Sequence, residues 1–289
     1  MPSKKKLGEN EMPKEKKDKK TGKYKILPVR PAEDFGKIDR ELPTPLQSMF
    51  KKNGAVMQIF AAPGSGKSNF ISSLVLQENL LGNDFFQGGL YFISPTAHND
   101  LTSRFLVEQA DFVETEFSED LVEEIYKNIM MVPKEDREYC CLIFDDCMGM
   151  IKQNSFCCKM ASTCRHMKSL QIYSTQSVKS LPPNLRSNMS HTVIFYTASN
   201  KQLNDIIELH AAFGGEKVFY EKYLEATSVK YGFLLCDFRD MILYKWGADR
   251  DEPIPIWSKY DDDGNINTGN SENKKDENSD VELNKGLIK

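Results

Sequence analysis

The sequence has no run approaching the roughly 18 consecutive apolar residues of a membrane-spanning helix, although 40% of its 289 residues are hydrophobic, enough for a sizeable core. Its lysine-rich start has no apolar segment behind it, so it does not read as a secretory leader. Its seven cysteines are odd in number and lie mostly inside apolar runs, which argues for a reducing compartment rather than a disulfide framework. The paired CxxC spacing of a zinc site is missing, so Cys157, Cys158, Cys164 and His166 are read as packing residues, not ligands. No internal repeat is visible, which excludes a solenoid. Acidic residues are missing altogether from Cys147 to Asn204, a stretch that carries Lys152, Lys159, Arg165, Lys168, Lys179, Arg186 and Lys201.

The other charges are uneven too. Residues 1–23 hold nine lysines against four acids, residues 261–289 hold eight acids against four lysines, and the chain as a whole is −4. Both ends are low in complexity and predict disorder. The basic one reads as a solubilising tail, a nuclear-import signal or a nucleic-acid arm. An acidic chain argues against nucleic acid as a partner. The acid-free stretch reverses that argument, because it predicts a local positive field and a DNA-facing surface.

The most informative stretch is Val56 to Ser68, Val-Met-Gln-Ile-Phe-Ala-Ala-Pro-Gly-Ser-Gly-Lys-Ser. An apolar run reads as a buried strand, breaks at Pro63-Gly64-Ser65-Gly66 and restarts as an apolar-periodic helix from Lys67. Strand, glycine-rich turn, helix is the setting of a phosphate-binding loop. Glycines let backbone N–H groups turn inward, and the helix N-terminus adds open donors and its positive dipole end. Ala62, Pro63, Gly64, Ser65, Gly66, Lys67, Ser68 and Asn69 are therefore the candidate nucleotide-binding residues. Lys67 supplies charge to the β- and γ-phosphates, and the Ser68 hydroxyl can ligate Mg²⁺. The usual opening glycine is Ala61 here.

Further along, the pattern predicts a helix over 67–80, a strand over 90–94, a mostly helical stretch over 99–131 and a strand over 140–144 running into Asp145-Asp146. A helix over 155–168 precedes a strand over 170–174, and another strand covers 192–196. Helices are expected over 202–212 and 215–226, and a terminal hairpin from 231–236 and 241–246. A short strand over 24–31 and a connecting helix and turn over 33–53 lead in. The organisation is thus a basic tail, 1–23, an α/β domain, 24–257, and an acidic tail, 258–289. Apolar strands alternating with helices give a mostly parallel sheet covered on both faces, the architecture of a P-loop NTPase. Such sheets bind ligands at the C-terminal ends of their strands. That gathers the phosphate loop, Asp145-Asp146 and Thr175-Gln176 at one edge.

These residues divide a phosphoryl-transfer task. Asp145 would hold Mg²⁺ beside Ser68, and Asp146, one residue on, could orient the attacking water. Gln176 carries an amide that can donate to a γ-phosphate or accept from the lytic water. The transition state needs positive charge, often an arginine from a neighbouring subunit, and Arg165 and Arg186 are the candidates. ATP and Mg²⁺ are the cofactors these parts imply. Asn200-Lys201 is followed by Gln-Leu, unlike a guanine-specificity loop, and no Leu-Ser-Gly-Gly-Gln signature or arginine-rich lid is present.

Taken in order, Ala-Pro-Gly-Ser-Gly-Lys-Ser, Leu-Ile-Phe-Asp-Asp, Arg165-His166, Ser174-Thr175-Gln176 and Leu181-Pro182-Pro183-Asn184-Leu185-Arg186-Ser187-Asn188 resemble the poxvirus-type genome-packaging ATPases of large DNA viruses and virophages, in the FtsK–HerA superfamily. The C-terminal Ala-Phe-Gly and Tyr-Gly-Phe-Leu-Leu-Cys-Asp are similar too, and the resemblance covers about residues 50–250. It implies a homo-oligomeric ring, hexameric, that hydrolyses ATP to push double-stranded DNA into a capsid, with capsid or other virion proteins as partners. The implied location is the host-cell cytoplasm or a viral factory, or the virion itself. In that superfamily the water-activating acid is commonly Glu; Asp146 is a methylene shorter. The alternative is another P-loop ATPase, a helicase or a nucleic-acid-independent remodelling switch.

Overall fold

The computed structural model describes residues 42–248, 252–261, 264, 266 and 267. The tail expected over 1–23, the strand over 24–31 and most of the tail over 258–289 lie outside the described residues.

The central strand is β1 (Ala55–Phe60), flanked on one side by β5 (Ser169–Thr175) and on the other by β6 (His191–Phe195), both parallel to it. Its neighbours on both sides go with the burial of all six of its residues, Gln58 included, whose amide donates to Thr175 Oγ1 and Val178 O. Beyond β5 come β4 (Cys140–Asp145), β2 (Leu90–Ile93) and the edge strand β3 (Phe112–Glu114), also parallel. Beyond β6 the direction reverses. There β7 (Phe233–Asp237), β8 (Ile242–Trp246) and β9 (Ile254–Ser258) each run antiparallel to the strand before. The sheet therefore has nine strands in the order β3-β2-β4-β5-β1-β6-β7-β8-β9.

Alternate residues of β1 feed different cores. Met57 and Ile59 pack with α1 (Thr44–Phe50) and α2 (Lys67–Leu76) through Leu46, Phe50, Ile71, Leu74 and Val75. On the opposite face Val56 joins the core under α4 (Glu119–Met131) and α5 (Phe156–Met167). Phe60 joins the core under α7 (Asn200–His210) and α8 (Glu216–Ala226). Helix α4 is started by Ser118, whose hydroxyl accepts from Leu121 N, with Glu119 and Asp120 in the favourable first turn. It buries Val122, Ile125 and Ile129, each worth about 1.5–3 kcal/mol of apolar burial. Leu121, four residues before Ile125, is only half-exposed, and its neighbour Val122 takes the buried place.

Three expectations are corrected. The helix after the phosphate loop stops at Leu76, not 80, because the chain turns at Gln77 and folds back to bury Leu80 and Leu81, with Leu81 N donating to Leu74 O. The stretch 99–131 is not one helical region. It contains a 3-10 turn at Leu101–Ser103, α3 (Arg104–Gln109) and then β3, which is too short to show a two-residue alternation. Strand β9 extends the predicted hairpin to three strands. The short helix α6 (Pro183–Arg186) follows β5. Among the described residues no helix is long and apolar enough to cross a membrane.

At the N-terminal ends of the parallel strands a wholly buried polar cluster ties α1 to the sheet. Ser48 Oγ donates to Asp237 Oδ2 and lies 3.1 Å from His191 Nε2, while His191 Nδ1 lies 2.9 Å from Ser190 Oγ. Burial by itself raises the pKa of Asp237, but His191 and the Ser48 hydroxyl outweigh it and hold the carboxyl well below the ordinary range. A carboxyl with a lowered folded pKa stabilises the fold above its unfolded value of about 3.9 and loses that contribution as pH falls. Asp237→Ala should therefore cost about 3–5 kcal/mol in chemical denaturation at neutral pH, the range for breaking a buried pair. Between about pH 5 and 3 the variant should lose less stability than the parent chain; an equal or steeper loss would show that Asp237 does not carry this linkage.

Candidate functional site

The phosphate loop leaves the C-terminal end of β1 as Ala61 N donates to Thr175 O of β5, 3.0 Å away. Ser65 closes a turn on Ala62, through N at 3.2 Å and Oγ at 2.6 Å to the Ala62 carbonyl. Gly64 and Gly66 have φ of +76° and +100°, which side chains with a Cβ rarely adopt. A Cβ on Gly64 would meet nothing within 4 Å, so this glycine answers to backbone conformation alone. Gly66 is the N-cap of α2 and no side chain caps that helix, so its first-turn amides stand open to the cavity.

That cavity, about 380 Å³, is lined by the loop, Lys67, Ser68 and Asn69, and also by Asp145, Asp146 and Gln176. Residues more than a hundred positions apart in sequence thus meet because β1, β4 and β5 are adjacent parallel strands that end together. Lys67 Nζ lies 3.0 Å from Asp145 Oδ1 and 2.9 Å from Asp146 Oδ1. The aligned hydrogen bond goes to Asp146. Burial alone would lower the Lys67 pKa, but the two carboxylates outweigh it and hold the ammonium above the ordinary lysine value. Gln176 Nε2 donates to the same Asp146 oxygen at 3.4 Å, and Gln176 N donates to Met148 Sδ at 3.1 Å. Asp146 has φ of +52°, an uncommon conformation of the kind found at functional sites.

Asp145 Oδ1 is buried and has the ammonium beside it but no aligned hydrogen-bond donor. The Ser174 hydroxyl, in register with Asp145, is likewise buried and unpartnered. Such atoms call for a water or an ion. The nearby donor set is hydroxyl and carboxylate oxygen, which suits Mg²⁺.

Asp100 and Tyr231 also line the cavity and escaped the sequence reading. Asp100 Oδ2 accepts from Ser68 Oγ at 3.2 Å, and Asp100 Oδ1 from Thr102 N at 2.9 Å. Burial would raise the Asp100 pKa, but bonds from Thr102, Ser103 and Ser68 outweigh it and lower it. Asp followed by Leu-Thr-Ser is a turn-starting signal that the helical pattern over 99–131 concealed. Tyr231, expected as the first residue of a strand over 231–236, sits instead in the turn before β7, which starts at Phe233.

Neither Arg165 nor Arg186 lines this cavity. Arg165 is exposed near the end of α5, just ahead of β5, so roughly 20 Å of strand separates it from the loop. Arg186 ends α6 with its Nε buried and unpartnered. The acid-free stretch is not acid-free in space. Helix α7 brings Asp205 and Glu208 to within 2.8 and 2.7 Å of Lys179 Nζ, and those bonds raise its pKa. Lys168 Nζ donates to Arg137 O, 2.5 Å away, at the far end of β5 from the loop. Lys159 Nζ lies over the Tyr126 and Phe156 rings, at 4.7 and 5.1 Å. Lys152 and Lys201 are exposed.

No family model matches the chain, and no curated protein does. Solved structures do. The genome packaging NTPase B204 from Sulfolobus turreted icosahedral virus 2, in complex with AMPPCP, superposes with a TM-score of 0.50 and 19% identity over 67% of this chain and 97% of that one. The same protein in complex with AMP gives 0.50 and 20% over 66% and 96%. B204, the DNA-packaging ATPase from Sulfolobus turreted icosahedral virus, gives 0.50 and 16% over 66% and 96%. At these identities the likeness is one of fold, and the fold is that of a P-loop NTPase.

The Lys67–Asp145 pairing has a measurable consequence without any nucleotide. Lys67→Ala leaves the buried Asp145 carboxylate without its counter-charge and should destabilise the free protein by roughly 1–3 kcal/mol. Adding Asp145→Asn should restore part of the loss. A double-mutant cycle by urea denaturation reads this directly; additive effects would mean the two groups do not interact.

Proposed function

We propose that this chain is an ATP hydrolase of the FtsK–HerA type, a motor that drives double-stranded DNA into a preformed viral capsid. The observation that carries the ATPase reading is the convergence of Lys67, Ser68, Asp145, Asp146 and Gln176 on one cavity beside a glycine-rich loop. The DNA-packaging part is supported by the order of motifs along the chain and by a fold shared with packaging NTPases. The working unit is a homo-oligomeric ring, hexameric, that meets capsid or other virion proteins in the host cytoplasm or a viral factory.

In this reading the amides of Gly64, Gly66 and Ser68 receive phosphate oxygens, with Ala62, Pro63, Ser65 and Asn69 framing them. Lys67 exchanges its carboxylate partners for the β- and γ-phosphates, which frees Asp145 and Asp146 for their own tasks. Ser68 and Asp145 would hold Mg²⁺, which when bound neutralises phosphate charge; Asp100 orients the Ser68 hydroxyl. Asp146 positions a water and takes its proton as the water oxygen attacks the γ-phosphorus and the bond to the β-phosphate oxygen breaks. Gln176, already bonded to Asp146, reports whether the γ-phosphate is there. Arg165 and Arg186, both away from the cavity of their own chain, serve a neighbouring subunit's site or the DNA backbone.

Asp146→Asn should keep ATP binding while hydrolysis falls about 10²–10⁴-fold, the usual cost of losing a general base. Equal loss of binding and turnover, measured by calorimetry and phosphate release, would make Asp146 a metal ligand instead. Duplex DNA should stimulate hydrolysis, and binding should weaken with salt by a log–log slope of about 0.9 for each phosphate contact. Replacing Lys152, Lys159 and Lys201 by Gln should flatten that slope, whereas Lys168→Gln with Lys179→Gln should leave it, because both ammoniums are already engaged within the chain. An ATPase indifferent to DNA would favour the nucleic-acid-independent switch.

A further inference from the structure

Gln176, in the wall of the phosphate cavity, opens a short loop, 176–180, between β5 and α6. This loop is fastened on two sides. On the sheet side Gln58, in the middle of β1, donates through Nε2 to Thr175 Oγ1 and to Val178 O, each 3.1 Å away. On the other side the loop grips α7. Val178 N donates to Gln202 Oε1 at 3.4 Å, and Lys179 Nζ lies 2.8 Å from Asp205 Oδ1 and 2.7 Å from Glu208 Oε2. Gln202, Asp205 and Glu208 follow one another at three-residue spacing, so they share one side of α7. The Val178 side chain is buried with Phe60, Ile194, Ile206 and Phe213 in the core that α7 and α8 cover.

Two features suit this connection to passing a movement on rather than absorbing it. The loop is closed on itself: Ser180 donates to Ser177 O through N at 3.1 Å and through Oγ at 2.6 Å, which leaves it little slack. Helix α7 is lightly held by comparison. Of its eleven residues Ile206 and His210 are buried, and Leu209 is 36% exposed. Elements with few buried apolar contacts shift at low cost. The connection also joins two places that the proposed motor uses. At one end Gln176 lies against Asp146, where the γ-phosphate is read. At the other is the first turn of α7, with Asn200 and Lys201 exposed, and Lys201 is among the cations assigned to DNA.

We propose that the loop 176–180 and α7 move as one body and carry the state of the γ-phosphate site to the DNA, with Lys179 and Gln202 as the positioning residues that couple them. This rests on the reading of the chain as a DNA-dependent ATPase. Coupling between two ligands is reciprocal and is commonly a factor of about 5–150 in affinity. Fluorescence anisotropy of the full chain with a labelled duplex, alone and with saturating Mg·ATPγS, measures it. In the parent chain the two duplex affinities should differ at least about fivefold. Lys179→Gln combined with Gln202→Ala should bring their ratio close to one. Affinity for ATPγS without DNA, and for the duplex without nucleotide, should stay as in the parent. Ion pairs open to water add little to stability, so the double variant should fold and melt as the parent does. Lys179→Arg, which keeps the charge between Asp205 and Glu208, should keep the ratio. A double variant with the parent's ratio overturns the proposal. So does one whose ratio falls only because a ligand binds more weakly on its own, and so does a parent chain that binds both ligands with a ratio of one. A parent chain that fails to bind ATPγS, or fails to bind the duplex, removes the DNA-dependent ATPase reading itself, and this proposal with it.

Discussion

The Lys67 ammonium, 3.0 Å from one oxygen of Asp145 and 2.9 Å from one of Asp146, is the contact on which the crest of the sheet depends. Asp145 ends a buried strand and is itself buried, so its charge must be answered within the protein. The answer comes from the first residue of α2, which the phosphate loop delivers from the neighbouring sheet region. The same ammonium fixes Asp146, and through Asp146 the amide of Gln176. One cation therefore sets the relative positions of three chain segments.

The two ends of the parallel strands have opposite characters. At the N-terminal end polar groups are fully engaged: Ser48, His191 and Asp237 satisfy one another, and Arg239 donates to the carbonyls of Ser48, Met49 and Gly54. Burial lowers the Arg239 pKa, with carboxylates nearby opposing it. At the C-terminal end the buried hydroxyl of Ser174 and Oδ1 of Asp145 have no aligned partner, and the first amides of α2 are uncapped. One end is built as a rigid base. The other holds its donors and acceptors ready for a ligand.

The cysteines contribute packing rather than chemistry. Cys140, Cys147 and Cys157 are buried, and burial pushes their thiols up, those of Cys140 and Cys147 to about 12, away from the reactive thiolate. Cys157 and Cys164 belong to the core beneath α5, beside Met160 and Tyr173.

The sequence by itself determined the central strands, the loop that turns into α2, and the meeting of that loop with Asp145, Asp146 and Gln176. The reason is that short, mostly apolar runs alternating with helical patterns favour buried parallel strands, and parallel strands present their C-terminal ends on one edge. Only the tertiary structure decided the rest. The edge strand β3 is only three residues long and β9 is partly exposed, so their pairing with β2 and β8 rather than any alternation defines them. Asp100 and Tyr231 reach the cavity from loops, where position follows from the fold and not from spacing. The acid-free stretch from Cys147 to Asn204 lost its isolation when α7 carried Asp205 and Glu208 to Lys179, because charge is felt through a few ångströms of space, whatever the distance along the chain.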